Sequence, residues 1–173
     1  MPVKRLATCS FWPHAPHPEL DSTDLNQSVK AAVLEQKPHA DLWKVNLVYA
    51  PSPDIPALEH DSRYVSRMCR ELIDNALSAT PTNGVVEMRT EVQDGNVRML
   101  VKEQGRGIST HVQNAMFEPF ASRKDNGVGT GMGLLVVSAI VDVNGWMLDI
   151  ATSSESGTTI IVGIPLQADS NHG

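Results

Sequence analysis

Cysteine is nearly missing from this chain of 173 residues: Cys9 and Cys69 stand far apart with no CxxC or Cys/His spacing. That excludes a disulfide framework and a zinc site and leaves a reducing cytoplasm as the default setting. Long apolar runs are missing too. The longest, Leu134 to Val141, is interrupted by Ser138 and is far too short to span a bilayer, so no direct membrane insertion is expected. No apolar core of signal-peptide length precedes Leu6-Ala7-Thr8-Cys9, so the faint likeness of that tetrad to a lipoprotein cleavage box does not carry export. Positive charge is in deficit, with 14 Lys and Arg against 20 Asp and Glu and a formal net charge of -6. A general nucleic-acid or anionic-membrane surface needs a basic face, so no nucleic-acid partner is expected. Glycine is absent before Gly84, whereas eight of the eleven prolines lie at or before Pro56. The front is stiffened and the back loosened. A hydrophobic content of 41% remains, enough for the core of one ordinary domain.

Residues 11 to 23, with Pro13, Pro16 and Pro18, read as an extended linker, so a folded domain is expected over 24–166 with a frayed tail over 167–173. Asp24 and Gln27 have capping-box spacing ahead of Leu25, Val29, Ala32 and Val33, which predicts a short amphipathic helix ended by Pro38. Alternation of Trp43, Val45, Leu47 and Tyr49 predicts a half-buried strand. From Ser62 to Ala79, Val65, Met68, Leu72, Ile73 and Ala76 keep helical spacing, with Arg67, Glu71, Asn75 and Ser78 along a second, polar stripe. Val86–Val92 and Val97–Val101 flank Asp94-Gly95, a pair suited to a tight hairpin turn. Gly133 to Asn144 admits a strand, but its length and the closing Gly145 fit a buried helix better. A last hairpin follows, Trp146–Thr152 and Thr158–Ile164, around Glu155-Ser156-Gly157. Helices with hairpin-joined strands indicate an α/β (α+β) two-layer sandwich, a mixed, mostly antiparallel sheet covered on one face by about three helices.

Three patterns carry chemistry. In Glu71-Leu72-Ile73-Asp74-Asn75, the i,i+4 spacing puts a carboxylate and an amide oxygen on one helical face, which suits a hard cation such as Mg2+ or, equally, a solvated surface. Glu103-Gln104-Gly105-Arg106-Gly107-Ile108 follows a strand, where bare backbone permits close approach to a ligand and a plain turn would look the same. Gly127-Val128-Gly129-Thr130-Gly131-Met132-Gly133-Leu134 runs into a helix. Successive unobstructed N–H groups and a helix N-terminus favour phosphate over a merely flexible loop. No Gly-Lys-Ser/Thr ends the segment, so it is no P-loop, and no dinucleotide signature is present.

Taken in order, the Asn75 helix, the Gly-x-Gly after a strand, Phe117-Glu118-Pro119-Phe120 and the Gly-Thr-Gly-Met-Gly-Leu stretch resemble the catalytic ATP-binding domain of bacterial sensor histidine kinases, of the superfamily that includes type II topoisomerase and mismatch-repair ATPases. The resemblance runs over roughly residues 24 to 166 and implies that residues 1–23 are an extended linker and the end of a preceding helical hairpin. It implies that ATP and Mg2+ are bound between the sheet's helices and a mobile lid. Asn75 matches the magnesium-binding asparagine, and Glu71 an acidic position that serves as base for water in the ATPase branch and supports magnesium in a kinase. Gly105, Gly107 and Ile108 match the glycine box beside adenine. Phe117 and Phe120 match the lid's aromatic box, although ordinary core anchors would look alike. Gly129, Thr130, Gly131, Met132, Gly133 and Leu134 match the box around the phosphates, and Lys124 a basic lid position near the terminal phosphate.

The implied activity is transfer of the ATP γ-phosphoryl group to a histidine on a separate dimerisation domain. Indirect partnership with a response regulator, a homodimeric parent kinase and a cytoplasmic location are implied as well. Two features depart from the pattern. The family's Asp-Asn is Glu103-Gln104 here, and one extra methylene in a tight site costs about 1–3 kcal/mol, so weakened ATP binding is expected. Only His60-Asp61 has the local order of an acceptor histidine, and it falls at a helix entry, where a capping role is expected. A non-catalytic nucleotide-sensing or protein-binding relative and an anti-sigma-type serine kinase are the alternatives.

Overall fold

The computed structural model describes residues 17–105, 133–153 and 157–166. Asp24 caps the first helix by accepting from the Asn26 N–H at 2.9 Å, and α1 runs Leu25–Trp43. The helix therefore passes through Pro38, where the sequence suggested its end. Proline removes one helical hydrogen bond, but Leu34 and Pro38 both lie on the exposed side, where water reaches the freed carbonyl. Beyond it Ala40 is buried, and the helix closes on Lys44 in the left-handed region (φ 54°), with the Val45 N–H donating to the Ala40 carbonyl at 2.9 Å. One more buried contact and a complete C-cap outweigh the local penalty. Trp43 accordingly ends a helix instead of opening a strand.

Short strands β1 (Asp21–Thr23) and β3 (Leu58–His60) pair antiparallel, so part of the stretch read as linker lies against the domain. Between them in sequence is β2 (Asn46–Ala50). Helix α2 (Ser62–Ala79) matches its expected span and buries Val65, Met68, Cys69, Leu72, Ile73, Ala76 and Leu77. Its N-cap is Asp61, and His60 is fully buried beside it. Its Nδ1 lies 3.0 Å from the Leu58 carbonyl oxygen, and its Nε2 lies 3.1 Å from each of the Thr23 and Ser28 hydroxyls.

Strands β4 (Val85–Gln93) and β5 (Asn96–Glu103) form the expected hairpin, with Asp94 and Gly95 at φ 52° and 72°. Helix α3 (Gly133–Val143) follows, closed by Gly145 at φ 65°, and then β6 (Met147–Ser153) and β7 (Gly157–Pro165). The main sheet has the order β2-β4-β5-β7-β6, parallel only between β2 and β4. Val86, Met88, Val97, Met99, Val101, Ile160, Val162 and Ile164 face the helices and are buried, while Arg89, Lys102 and Ala151 on the other face are exposed. One core joins α1, α2 and α3 to that inner face. The two-layer α+β sandwich is therefore as expected; the ATP lid lies outside the described residues.

Candidate functional site

Helix α2 organises the site because its polar stripe is not covered by the sheet. Glu71, Asn75 and Ala79 recur every four residues along one side, which spans roughly 12 Å at 1.5 Å per residue. The first residue of α3 lies against the upper part of this stripe. A Cβ on Gly133 would stand 2.8 Å from Glu71 Oε2 and 3.2 Å from Asn75 Nδ2. Bare backbone is what lets the start of α3 approach these two side chains. Leu134, next in line, packs partly buried against the core.

Glu71 is additionally held by Arg67, whose Nε donates to Oε1 at 2.9 Å one turn earlier on the same helix. Asn75 Nδ2 is buried and donates to nothing among the described residues. A buried amide N–H without a partner is costly, and its presence beside a helix start marks a place where an acceptor belongs. Two side-chain oxygens, from Glu71 and Asn75, are too few for an all-protein magnesium cage; they fit a cation whose remaining ligands are water and phosphate. Among the described residues no cluster of three or more His, Cys, Asp or Glu offers another metal site. Cys69, on the buried side of α2, is no nucleophile, since burial pushes its thiol up to about 12.

The lower end of the stripe meets the end of β5. A Cβ on Gly105 would collide with the Ala79 carbonyl and with Glu103 Oε2, so this glycine too is a close approach. Glu103 is 5% exposed, and its carboxylate folds back so that Oε2 accepts the Gly105 N–H. The longer side chain thus absorbs its extra methylene by curling onto its own backbone. Gln104 turns away, accepting the Val85 N–H at 3.1 Å.

Thr158 was not singled out by any motif. It is the register partner of Glu103 across the β5–β7 ladder, 4% exposed, with an Oγ1 that is buried and unpartnered among the described residues. Only the pairing of β5 with β7, which local sequence does not specify, brings it to the site. Gly157 before it has φ 82° and lies against the Glu103 carbonyl, where no side chain fits.

The structure thus gathers Glu71, Asn75 and Gly133 at one end of the Glu71–Ala79 stripe and Glu103, Gly105 and Thr158 at the other. Gly107, Ile108, Phe117, Phe120, Lys124, Gly129, Thr130, Gly131 and Met132 lie outside the described residues.

Residues 60–168 match the family described as histidine kinase-, DNA gyrase B-, and HSP90-like ATPase. Among curated proteins, the chain is 32% identical over 126 residues to the sensor protein DivL of Caulobacter vibrioides, covering 73% of this chain and 16% of DivL. It is 25% identical over 150 residues to the sensor histidine kinase ZraS of Escherichia coli, covering 87% of this chain and 32% of ZraS. The chain therefore spans about a third or less of the length of these relatives. Among solved structures, full-length ShkA in complex with AMPPNP superimposes with a TM-score of 0.77 at 22% identity, over 87% of this chain and 32% of ShkA. The catalytic domain of histidine kinase ThkA gives 0.73 at 23% identity, over 85% of this chain and 95% of that one. With a matching family over most of its length and the same fold in these catalytic domains, the chain belongs to the histidine kinase-, DNA gyrase B-, and HSP90-like ATPase family.

Proposed function

We propose that the chain is the ATP-binding catalytic part of a sensor histidine kinase, which transfers the γ-phosphoryl group of ATP to a histidine on a separate dimerisation domain. The observation that carries this reading is the pairing of two bare-backbone approaches on one helix: Gly133 at Glu71 and Asn75, and Gly105 at Ala79 and Glu103. A nucleotide laid along α2 would meet an acidic acceptor at one end and a helix start at the other. At the base end, the Glu103 carboxylate accepts the adenine amino group, and an ionised carboxylate rejects the carbonyl that guanine presents there. The unpartnered Thr158 hydroxyl, beside it in the ladder, supplies a hydrogen bond to a ring nitrogen or to a water on it.

At the phosphate end, the orphaned Asn75 amide and the first N–H groups of α3 bind phosphate oxygens. Magnesium, held by Asn75 with support from Glu71, neutralises phosphate charge when bound. The chain's own contribution is positioning: it fixes the triphosphate while the acceptor nitrogen approaches in line. Gly107, Ile108, Phe117, Phe120 and the Gly129–Leu134 stretch complete the nucleotide enclosure, with Lys124 at the terminal phosphate. In this reading the parent kinase is a cytoplasmic homodimer, or has this part in the cytoplasm, and a response regulator receives the phosphoryl group.

Calorimetry with Mg-ATP and Mg-GTP tests the reading. Binding of ATP in preference to GTP is expected, and no heat at millimolar ATP would overturn it. Asn75→Ala should abolish the magnesium dependence of binding and of phosphotransfer to a supplied acceptor domain; unchanged transfer would remove its metal role.

A further inference from the structure

Strand β4 begins one residue before β5 gives it a partner: the last register pair is Val86 with Glu103, and Val85 would next face Gln104. Main-chain pairing stops there. The Val85 N–H instead donates to the side-chain Oε1 of Gln104 at 3.1 Å, so a side-chain amide oxygen stands in for a ladder carbonyl. The main chain at Gln104 and Gly105 is thereby released from β4 and turns to α2, where Gly105 lies too close to the Ala79 carbonyl to admit a Cβ. Val85 is a firm anchor. Just before it, the Gly84 carbonyl accepts from the Asn46 N–H of β2 and the Gly84 N–H donates to the Pro81 carbonyl, both at 2.9 Å. Thr80 to Gly84 join this anchor to Ala79 at the end of α2. A ring therefore closes, from Ala79 through the turn to Val85, across the Gln104 side chain, and back from Gly105 to the Ala79 carbonyl.

This ring sets where Glu103 stands relative to the helix. The Glu103 carboxylate accepts the Gly105 N–H, so wherever Gly105 is held, the carboxylate is held with it. Gln104 itself is exposed, so burial does not impose its arrangement. We infer that Gln104 is a positioning residue for the base of the nucleotide: its side chain keeps the 103–105 turn on α2 and thereby aims the Glu103 carboxylate at the adenine amino group. The inference rests on the nucleotide reading above. Side-chain length matters to it, because an asparagine amide would end one methylene short of Val85. The two lengthened side chains therefore act as a pair: Glu103 folds back onto Gly105, and Gln104 fixes the place to which it folds.

Calorimetry of the whole chain with Mg-ATP is the test, with circular dichroism melts to check that each variant is folded. Gln104→Met keeps the length of the side chain but lacks the acceptor oxygen, and it should weaken ATP binding about three- to tenfold. Gln104→Glu keeps an oxygen at the same reach and should bind ATP within about twofold of the parent chain. In a Glu103→Ala background, Gln104→Met should cost no further affinity, because no carboxylate is left to aim. A side chain that only tied down the end of β5 would lower the melting temperature alike in both backgrounds and leave affinity unmoved. Unchanged ATP affinity in Gln104→Met, an equal loss in Gln104→Glu, or a loss of the same size without the Glu103 carboxylate overturns the role of Gln104 while the nucleotide reading stands. If the parent chain binds no ATP, that reading fails and this inference falls with it, a result the parent titration alone identifies.

Discussion

Three glycines with left-handed backbone offer a controlled comparison. Gly95, Gly145 and Gly157 have φ of 72°, 65° and 82°, but a Cβ would meet nothing within 4 Å at the first two. At Gly157 it would overlap the Glu103 carbonyl oxygen and lie 2.8 Å from the carbonyl carbon and 3.1 Å from Gln104 Cα. All three are backbone atoms that cannot rotate away. Alanine at Gly95 or Gly145 therefore costs the left-handed penalty alone, about 1–2 kcal/mol, reduced by about 0.4–1 kcal/mol because alanine also stiffens the unfolded chain. Alanine at Gly157 carries the same penalty and must also push β7 from β5 where Thr158 faces Glu103. Losing one or two ladder hydrogen bonds at roughly 1 kcal/mol each brings the total to about 3 kcal/mol.

Equilibrium urea unfolding followed by circular dichroism reads the difference. With a slope of about 1–3 kcal/mol per molar, the Gly157→Ala midpoint should fall about 1 M below those of Gly95→Ala and Gly145→Ala. Nucleotide affinity should drop in Gly157→Ala alone, since only that change displaces Glu103. Three midpoints within about 0.3 M of one another would refute the close-approach explanation of Gly157.

At the base end, Glu103→Asp should tighten ATP binding by up to about tenfold and Glu103→Ala should weaken it by a similar factor; equal calorimetric affinity in all three would remove Glu103 from the nucleotide. The Arg63 guanidinium, with Nε and Nη2 at 3.0 and 2.8 Å, holds the Asp61 carboxyl well below the usual carboxylate range. The unfolded chain therefore takes up a proton near pH 4 before the folded chain does, so the Asp61 contribution is present at neutral pH and is lost as pH falls below about 4. Melting temperatures of the parent chain and Asp61→Asn should differ at pH 7 and converge on acidification; parallel profiles would contradict this. With Cys9 replaced by serine, Cys69 should resist maleimide in buffer and react fully in urea, because it is completely buried. Rapid labelling of the native protein would place it elsewhere.

The elements that were legible in the sequence are those whose reasons are local. The apolar stripe of α2, the Asp94-Gly95 turn and the Gly145 cap each occupy a few neighbouring residues, and each appears where the pattern put it. Glu71, Asn75, Glu103, Gly105 and Gly133 were legible as site candidates because carboxylates and amides at helical spacing and dense glycines are unusual in a plain core. What remained hidden depends on distant partners. The passage of α1 through Pro38 rests on Ala40 finding the core and on the cap at Lys44. Strands β1 and β3, three residues each, carry no period, and they meet where His60 is hydrogen-bonded by Thr23 and Ser28. Thr158 becomes a site residue only through its register with Glu103, and Arg67 only through the carboxylate it holds.

Because the two close approaches sit on a single helix, the length of the site is a property of α2 and not of the loops around it. Loops can lengthen or shorten without altering that ruler, whereas removing one residue between Asn75 and Ala79 would swing one end about 100° around the axis relative to the other. The stretch from Glu71 to Ala79 is therefore a unit of fixed gauge. Substitutions can change what is held at either end, but the distance between the ends is set by the pitch of an α-helix.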